Sequence, residues 1–226
     1  MIGRYKTAQS ISNSVAFAKK VKKVQWYRYS GTAVAGCDKL FNSKIMRRFA
    51  IQRSLGNDIP AGISAIEIER GPPIAISEVQ PDEVVVKVRA CCVNYTDILK
   101  TCGSYQHKPS LPFVHGAEFS GVVIIVGSDV RGVNVGDSVI GSGPGMASTV
   151  KIKAALCDPM PTGLTFEQAA GFRVGYSTAY HCLIERGQLK EGEVVLVNGA
   201  TGGMGLAAVQ VNTSLICLCI THAACT

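Results

Sequence analysis

The fold class this chain predicts is α/β plus β: a β-barrel followed by the opening of a parallel nucleotide-binding sheet. Three observations predict it. From about Ile63 to Ile140 the sequence consists of short β-branched runs separated by glycine and proline turns, the pattern of closely spaced strands in a partly open barrel. Residues 193–211, EVVLVNGATGGMGLAAVQV, pass from a strand-like apolar run through a glycine cluster into a helix-like run. Between these two stretches lies a helical pattern that starts at a hydroxyl residue, Thr165, and ends near Gly187.

The 226 residues are 47% hydrophobic and 17% charged, enough to bury a core. No apolar run approaches the roughly 18 residues needed to cross a bilayer as a helix, and residues 215–220, LICLCI, are too short for it. The net charge of +7 is uneven: residues 1–60 hold 12 Lys and Arg against Asp38 and Asp58, whereas residues 61–226 hold 11 against 14. A mildly acidic body argues against nucleic acid as a partner. Nine cysteines, an odd number at scattered positions, fit reduced thiols better than a disulfide framework. Cys91-Cys92 and Cys217-Leu-Cys219 lack the two-residue gap that lets two thiolates share one zinc, and are expected to be apolar filler.

Residues 1–29 contain no acidic residue, several hydroxyl residues and seven basic ones, a composition that suits either a mitochondrial transit segment or a disordered basic tail. Both readings stand, so the location is expected to be mitochondrial or cytoplasmic, and residues 1–60 are expected to be an extension outside the fold. Residues 64–69 alternate like a strand until Gly71-Pro72-Pro73 breaks them, residues 83–88 form a strong strand, and residues 119–126 form a buried one. Residues 133–137, VNVGD, make a turn before a strand at 138–140. Thr165, with Gln168 three positions on, caps a helix over FEQAAGFRVGYSTAYHCLI. The domain expectation is a barrel at 62–155, a connecting helical region at 156–192, the start of the nucleotide-binding domain at 193–211 and a divergent tail at 212–226.

In the glycine cluster the order strand, turn, helix carries the chemistry. A turn without side chains lets backbone amides approach a diphosphate, and the helix beginning there presents unpaired N–H groups and a positive dipole end. Gly199 is expected to make the turn, Gly202 the close approach and Gly205 the close helix–strand packing. Ala200 and Thr201 separate the first two glycines, a departure from the commonest GxGxxG spacing.

Two segments carry a family resemblance, from about Gly62 to Gln210. The stretch VNYTDILKTCGSYQHKPSLPFVHGAEFSGVV holds Asn-x-x-Asp, Gly-x-Tyr, Leu-Pro-Phe and Gly-x-Glu-x-x-Gly in order, and VVLVNGATGGMGLAAVQ follows. Together they resemble the medium-chain dehydrogenase/reductase superfamily, and within it the quinone oxidoreductase branch that includes zeta-crystallin. The resemblance implies a GroES-like barrel, an incomplete Rossmann domain reduced to its first βα unit, NADPH as cofactor, and hydride transfer to a quinone or another activated alkene or carbonyl. It implies that Asn94 and Tyr105 line the substrate pocket as catalytic residues and that Thr178 approaches the nicotinamide. Gly199, Ala200, Thr201, Gly202, Gly203, Met204 and Gly205 would contact the cofactor. Asn94 is expected to donate an N–H to a substrate carbonyl, Tyr105 to offer a ring face and hydroxyl, and Asp97 to fix local backbone.

No metal is expected. The zinc alcohol dehydrogenases place a cysteine three residues before the Asp, where this chain has Asn94 before Asp97, and a histidine before the Glu, where it has Ala117 before Glu118. His115, where the branch has proline, is expected to be a turn or surface histidine. Beyond Val211 the similarity ends, and no Asp, Glu, Lys or Arg follows to distinguish a ribose 2′-hydroxyl from a 2′-phosphate. A shortened product is therefore expected, inactive by itself, without the part through which the family forms homo-oligomers. Two alternatives remain: an enoyl reductase-type enzyme, or a catalytically dead barrel that serves as an interaction module.

Overall fold

A computed structural model of the chain describes residues 46–51, 66–215 and 218–222. The targeting or tail character expected of residues 1–29 falls outside the described residues. The described residues form two compact units that divide between Gly171 and Phe172.

The first unit runs in the order β1 (Met46–Ile51), β2 (Ile66–Gly71), β3 (Glu83–Cys91), α1 (Tyr95–Thr101), β4 (Phe113–Val114), β5 (Glu118–Val126), β6 (Ser138–Ser142), β7 (Thr149–Lys153), β8 (Cys157–Pro159) and α2 (Phe166–Ala170). Its strands make a five-stranded antiparallel sheet, β7-β3-β5-β6-β8, and a three-stranded one, β2-β1-β4. Strand β1 corrects the expectation that residues 1–60 stand outside the fold. It pairs antiparallel with β2, Met46 opposite Gly71 and Ile51 opposite Ile66. Its two arginines disguised a strand whose partner lies 15 and more residues away.

The core follows from alternation along the central strands. Val84, Val86 and Val88 of β3 join Phe119 and Val123 of β5, Val139 of β6, and Val150 and Ile152 of β7 in one buried cluster. Two register shifts between β3 and β5, at Val85/Val86 and Val88/Ala90, are bulges that coil the sheet. The Phe119 ring fills the space a side chain at Gly141 would need: a Cβ there would lie 2.4 Å from the ring. The expected turn before β6 is present, with Asn134 N–H donating to Asp137 Oδ2 at 2.8 Å.

Thr165 caps α2 as expected: Gln168 N–H donates to its hydroxyl at 3.3 Å and its own N–H donates to Gln168 Oε1 at 2.9 Å. The single long helix expected beyond it does not form. Gly171 ends α2 after five residues, and the second unit begins there with α3 (Arg173–Tyr180) and a π-helical turn, His181–Arg186. Gly187 closes that turn, its N–H donating to Cys182 O at 2.8 Å.

Strand β9 (Val194–Asn198) then leads into α4 (Gly203–Ser214) and β10 (Leu218–His222). The expected βα unit is present, and the segment read as a divergent tail adds a second strand to it. Strand β10 pairs parallel to β9, from Leu218 opposite Val194 to His222 opposite Asn198. The LICLCI run held too few residues to settle its state by periodicity, so its strand character emerged only from pairing. Helices α3 and α4 meet through Ala179, Ala207 and Val211, with Tyr176, Leu183, Ala208 and Leu215 around them. Tyr176 Oη donates to Gln210 Oε1 across this contact. Val197 of β9 is buried, whereas Val194, Leu196 and Ile220 expose an apolar face on the sheet's other side. Among the described residues no helix is long and apolar enough to cross a membrane.

Candidate active site

In the first unit the site residues gather where β3 hands over to α1. Asn94 adopts an extended conformation, φ −107° and ψ 155°, just ahead of the helix. Its backbone N–H donates to Asp97 Oδ2 at 2.8 Å, so Asp97 fixes the backbone as expected. The Asn94 side chain is also occupied: Nδ2 donates to Glu118 Oε1 at 3.0 Å. One of the two N–H groups expected to serve a substrate is therefore held by a buried carboxylate, and the other remains. Tyr105 lies beyond the opposite end of α1, its N–H donating to Leu99 O at 3.2 Å and its half-buried ring 5.6 Å from Lys100 Nζ. A seven-residue helix thus separates the two residues expected to line one pocket.

Behind Asn94 lies a polar cluster that the sequence did not reveal. His115, expected at the surface, is 3% exposed. Its Nε2 lies 2.8 Å from Thr101 Oγ1, and that hydroxyl gives its one hydrogen to Asp97 O at 2.9 Å. The hydroxyl can then only accept, which places a hydrogen on His115 Nε2. Burial pushes the His115 pKa below the usual histidine value, against the pull of Asp97. Burial likewise raises the Asp97 pKa, offset by the Asn94 N–H, Lys100 and His115. The Cys92 thiol is pushed up to about 12, first by burial and then by the charges of Glu118 and Asp97, so it stays protonated and inert. Cys91 Sγ donates to Glu118 O at 3.2 Å. Among the described residues no group of three or more His, Cys, Asp or Glu side chains is arranged to hold a metal ion.

In the second unit the glycine turn has the expected shape. Gly199 leaves β9 at φ +70°, a conformation glycine adopts at little cost, and Gly202 N–H donates back to Gly199 O at 3.1 Å. Gly205 has no room for a side chain: a Cβ would lie 2.2 Å from Gly199 O and 2.8 Å from Ala200 Cα. Helix α4 is therefore seated directly on the turn. Gly202 differs, since its nearest neighbour from a Cβ is Gly199 O at 3.5 Å. Ala200 and Gly203 are half-buried, and Thr201 and Met204 are exposed. Thr178 sits near the end of α3, exposed, its hydroxyl donating to Val174 O at 2.7 Å.

With this geometry in view, residues 80–186 match the alcohol dehydrogenase GroES-like domain. The chain is 40% identical over 151 residues to a quinone oxidoreductase-like protein 2 homolog of Nematostella vectensis, covering 63% of this chain and 41% of that protein. These likenesses support the quinone oxidoreductase branch of the medium-chain dehydrogenase/reductase superfamily as the family of this chain. As in that superfamily, a GroES-like domain precedes a partial Rossmann-like sheet. A phenolphthiocerol/phthiocerol polyketide synthase of Mycobacterium tuberculosis is 41% identical over 158 residues, covering 68% of this chain and 7% of that protein. The crystal structure of Escherichia coli quinone oxidoreductase complexed with NADPH superposes with a TM-score of 0.69 and 27% identity, covering 80% of this chain and 53% of that one. The chain thus spans about half or less of the length of these relatives.

Glu118, Thr101 and the buried His115 are the residues that sequence reasoning missed. Glu118 stood in the Gly-x-Glu motif, but only the pairing of β3 with β5 brings it to Asn94, 24 positions away.

Proposed function

We propose that this chain carries the substrate barrel and the diphosphate-binding turn of a zinc-independent, NADPH-dependent oxidoreductase that reduces a quinone or another activated alkene or carbonyl. The single observation that carries this reading is the turn between β9 and α4. Gly205 is packed against the Gly199 carbonyl with no space for a methyl, while Gly202 has its Cα face clear of side chains. The residues fit the cofactor: the amides of Gly203, Met204 and Gly205 at the start of a 12-residue helix would hold its diphosphate, with Ala200, Thr201 and Gly202 beside them. Thr178 would meet the nicotinamide end. When bound, the cofactor supplies the hydride.

The chain's own groups bind and orient. Asn94 offers its second Nδ2 hydrogen to a substrate, and Tyr105 offers a ring face and a hydroxyl. The similarity to a polyketide synthase favours one second reading, an enoyl reductase acting on an unsaturated thioester. By itself the chain is proposed to be inactive, its barrel then serving as an interaction module, located in mitochondria or cytoplasm.

The test uses the full chain. Thermal shift with NADPH is followed by NADPH consumption with 1,4-benzoquinone or crotonyl-CoA as acceptor. Micromolar NADPH binding is expected, and no binding at millimolar cofactor would overturn the proposal. Consumption with either acceptor would overturn the inactivity of the isolated chain and name the acceptor class.

A further inference from the structure

Glu118 is 1% exposed and stands at the first position of β5. A charged side chain is rarely taken so far from water unless the polar groups around it are matched to it. Here the match is specific. Its Oε1 accepts from Asn94 Nδ2 at 3.0 Å, and its backbone carbonyl accepts from Cys91 Sγ at 3.2 Å. Its main chain is held by pairing with Ser142 of β6.

An ionised carboxylate accepts and cannot donate, so it can hold the nitrogen end of a side-chain amide and not the oxygen end. The orientation of the Asn94 amide is therefore settled by Glu118: Nδ2 faces the carboxylate, which turns Oδ1 to the start of α1, where it caps the Asp97 N–H, and leaves the second N–H. The Asn94 backbone is meanwhile fixed by Asp97 at 2.8 Å. Two buried carboxylates thus clamp one asparagine, one through the backbone and one through the side chain.

We propose that Glu118 is a positioning residue: it sets the amide of Asn94 so that the second N–H is presented in a fixed direction to the substrate. This rests on the proposed role of Asn94 toward substrate, but the clamp itself is measurable without turnover.

The experiment follows the Asn94 side-chain amide pair in the ¹⁵N-labelled full chain, identified by its loss in Asn94→Asp, and compares Glu118→Gln with Glu118→Ala. Glutamine keeps an acceptor at the same reach, and alanine removes it. In wild type and Glu118→Gln the two amide protons are expected to be unequal in shift and at least tenfold slower to exchange than a free asparagine amide. In Glu118→Ala they should collapse to free-amide behaviour while far-ultraviolet circular dichroism stays unchanged. A pair that is undisturbed in Glu118→Ala, or free in wild type, overturns the proposal.

Where wild type consumes NADPH, both variants remove the charge and only glutamine keeps the hydrogen bond, so kcat of Glu118→Gln should exceed that of Glu118→Ala at least tenfold with KM within twofold. Equal kcat in the two variants overturns positioning through the hydrogen bond. Wild type without turnover but with a clamped amide supports the positioning claim and counts against an active isolated chain.

Discussion

The glycine turn allows a sharp separation between folding and binding, because two of its glycines are tight for different reasons. In Gly205→Ala the new Cβ would meet Gly199 O at 2.2 Å and Ala200 Cα at 2.8 Å, both backbone atoms that cannot swing aside. Helix propensity alone favours alanine by roughly 0.5–1 kcal/mol, whereas forcing a methyl into packed backbone costs about 1–3 kcal/mol or more. The clash wins, and α4 should lift from the turn. In Gly202→Ala the nearest atom is at 3.5 Å, and φ −76° with ψ 163° suits alanine, so only a poorer helix cap is lost, about 0.5–1 kcal/mol. Its methyl would instead occupy the space from which a diphosphate approaches the amides.

The assay is hydrogen exchange of the α4 amides together with calorimetric titration of NADPH. Gly205→Ala should cut α4 protection by roughly tenfold or more, and Gly202→Ala by at most about fivefold, while both weaken NADPH at least tenfold. Unchanged protection in Gly205→Ala, or wild-type affinity in Gly202→Ala, would refute the reasoning.

Three further outcomes are expected. If an oxyanion formed on the second Asn94 N–H, it would lie about 5 Å from Glu118 Oε1, an opposing interaction of about 3 kcal/mol at an effective dielectric of about 20. Glu118→Gln, which keeps the hydrogen bond and removes the charge, should therefore raise kcat, by up to about 100-fold in a chain that turns over; steady-state kinetics with benzoquinone check this. His115 has a folded-state pKa below its unfolded value, so the unfolded chain binds the extra proton first, and stability should fall as pH drops below about 6.5 until the folded pKa is reached. Asp97 works in the opposite sense: its raised pKa means stability is regained as pH falls through that folded pKa. Urea midpoints of wild type and His115→Gln should diverge as pH falls below about 6.5, with the variant flatter. Thr165→Ala removes the α2 cap and should destabilise the first unit by about 1 kcal/mol, read as a lower urea midpoint.

The sequence made some of this architecture legible through local rules. Valines at alternate positions announced β3, Thr165 and Gln168 announced a cap, and a glycine cluster between a strand pattern and a helix pattern announced the turn. What stayed hidden depends on distant partners. Met46–Ile51 became a strand only through pairing with β2, and Leu218–His222 only through pairing with β9. His115 seemed a surface residue because nothing local shows that Thr101, 14 positions before it, waits to accept its hydrogen. Asn94 and Tyr105 were named as site residues by family pattern. That pattern did not convey that Glu118 holds one end of the Asn94 amide or that α1 stands between the pair.

The central claim is that the amides opening α4 hold a diphosphate. Residue-resolved NMR titration of the full chain with NADPH tests it most directly. Saturable downfield shifts of the Gly203, Met204 and Gly205 amides are expected at micromolar cofactor. Resonances of those three amides that stay unmoved at millimolar NADPH would contradict it.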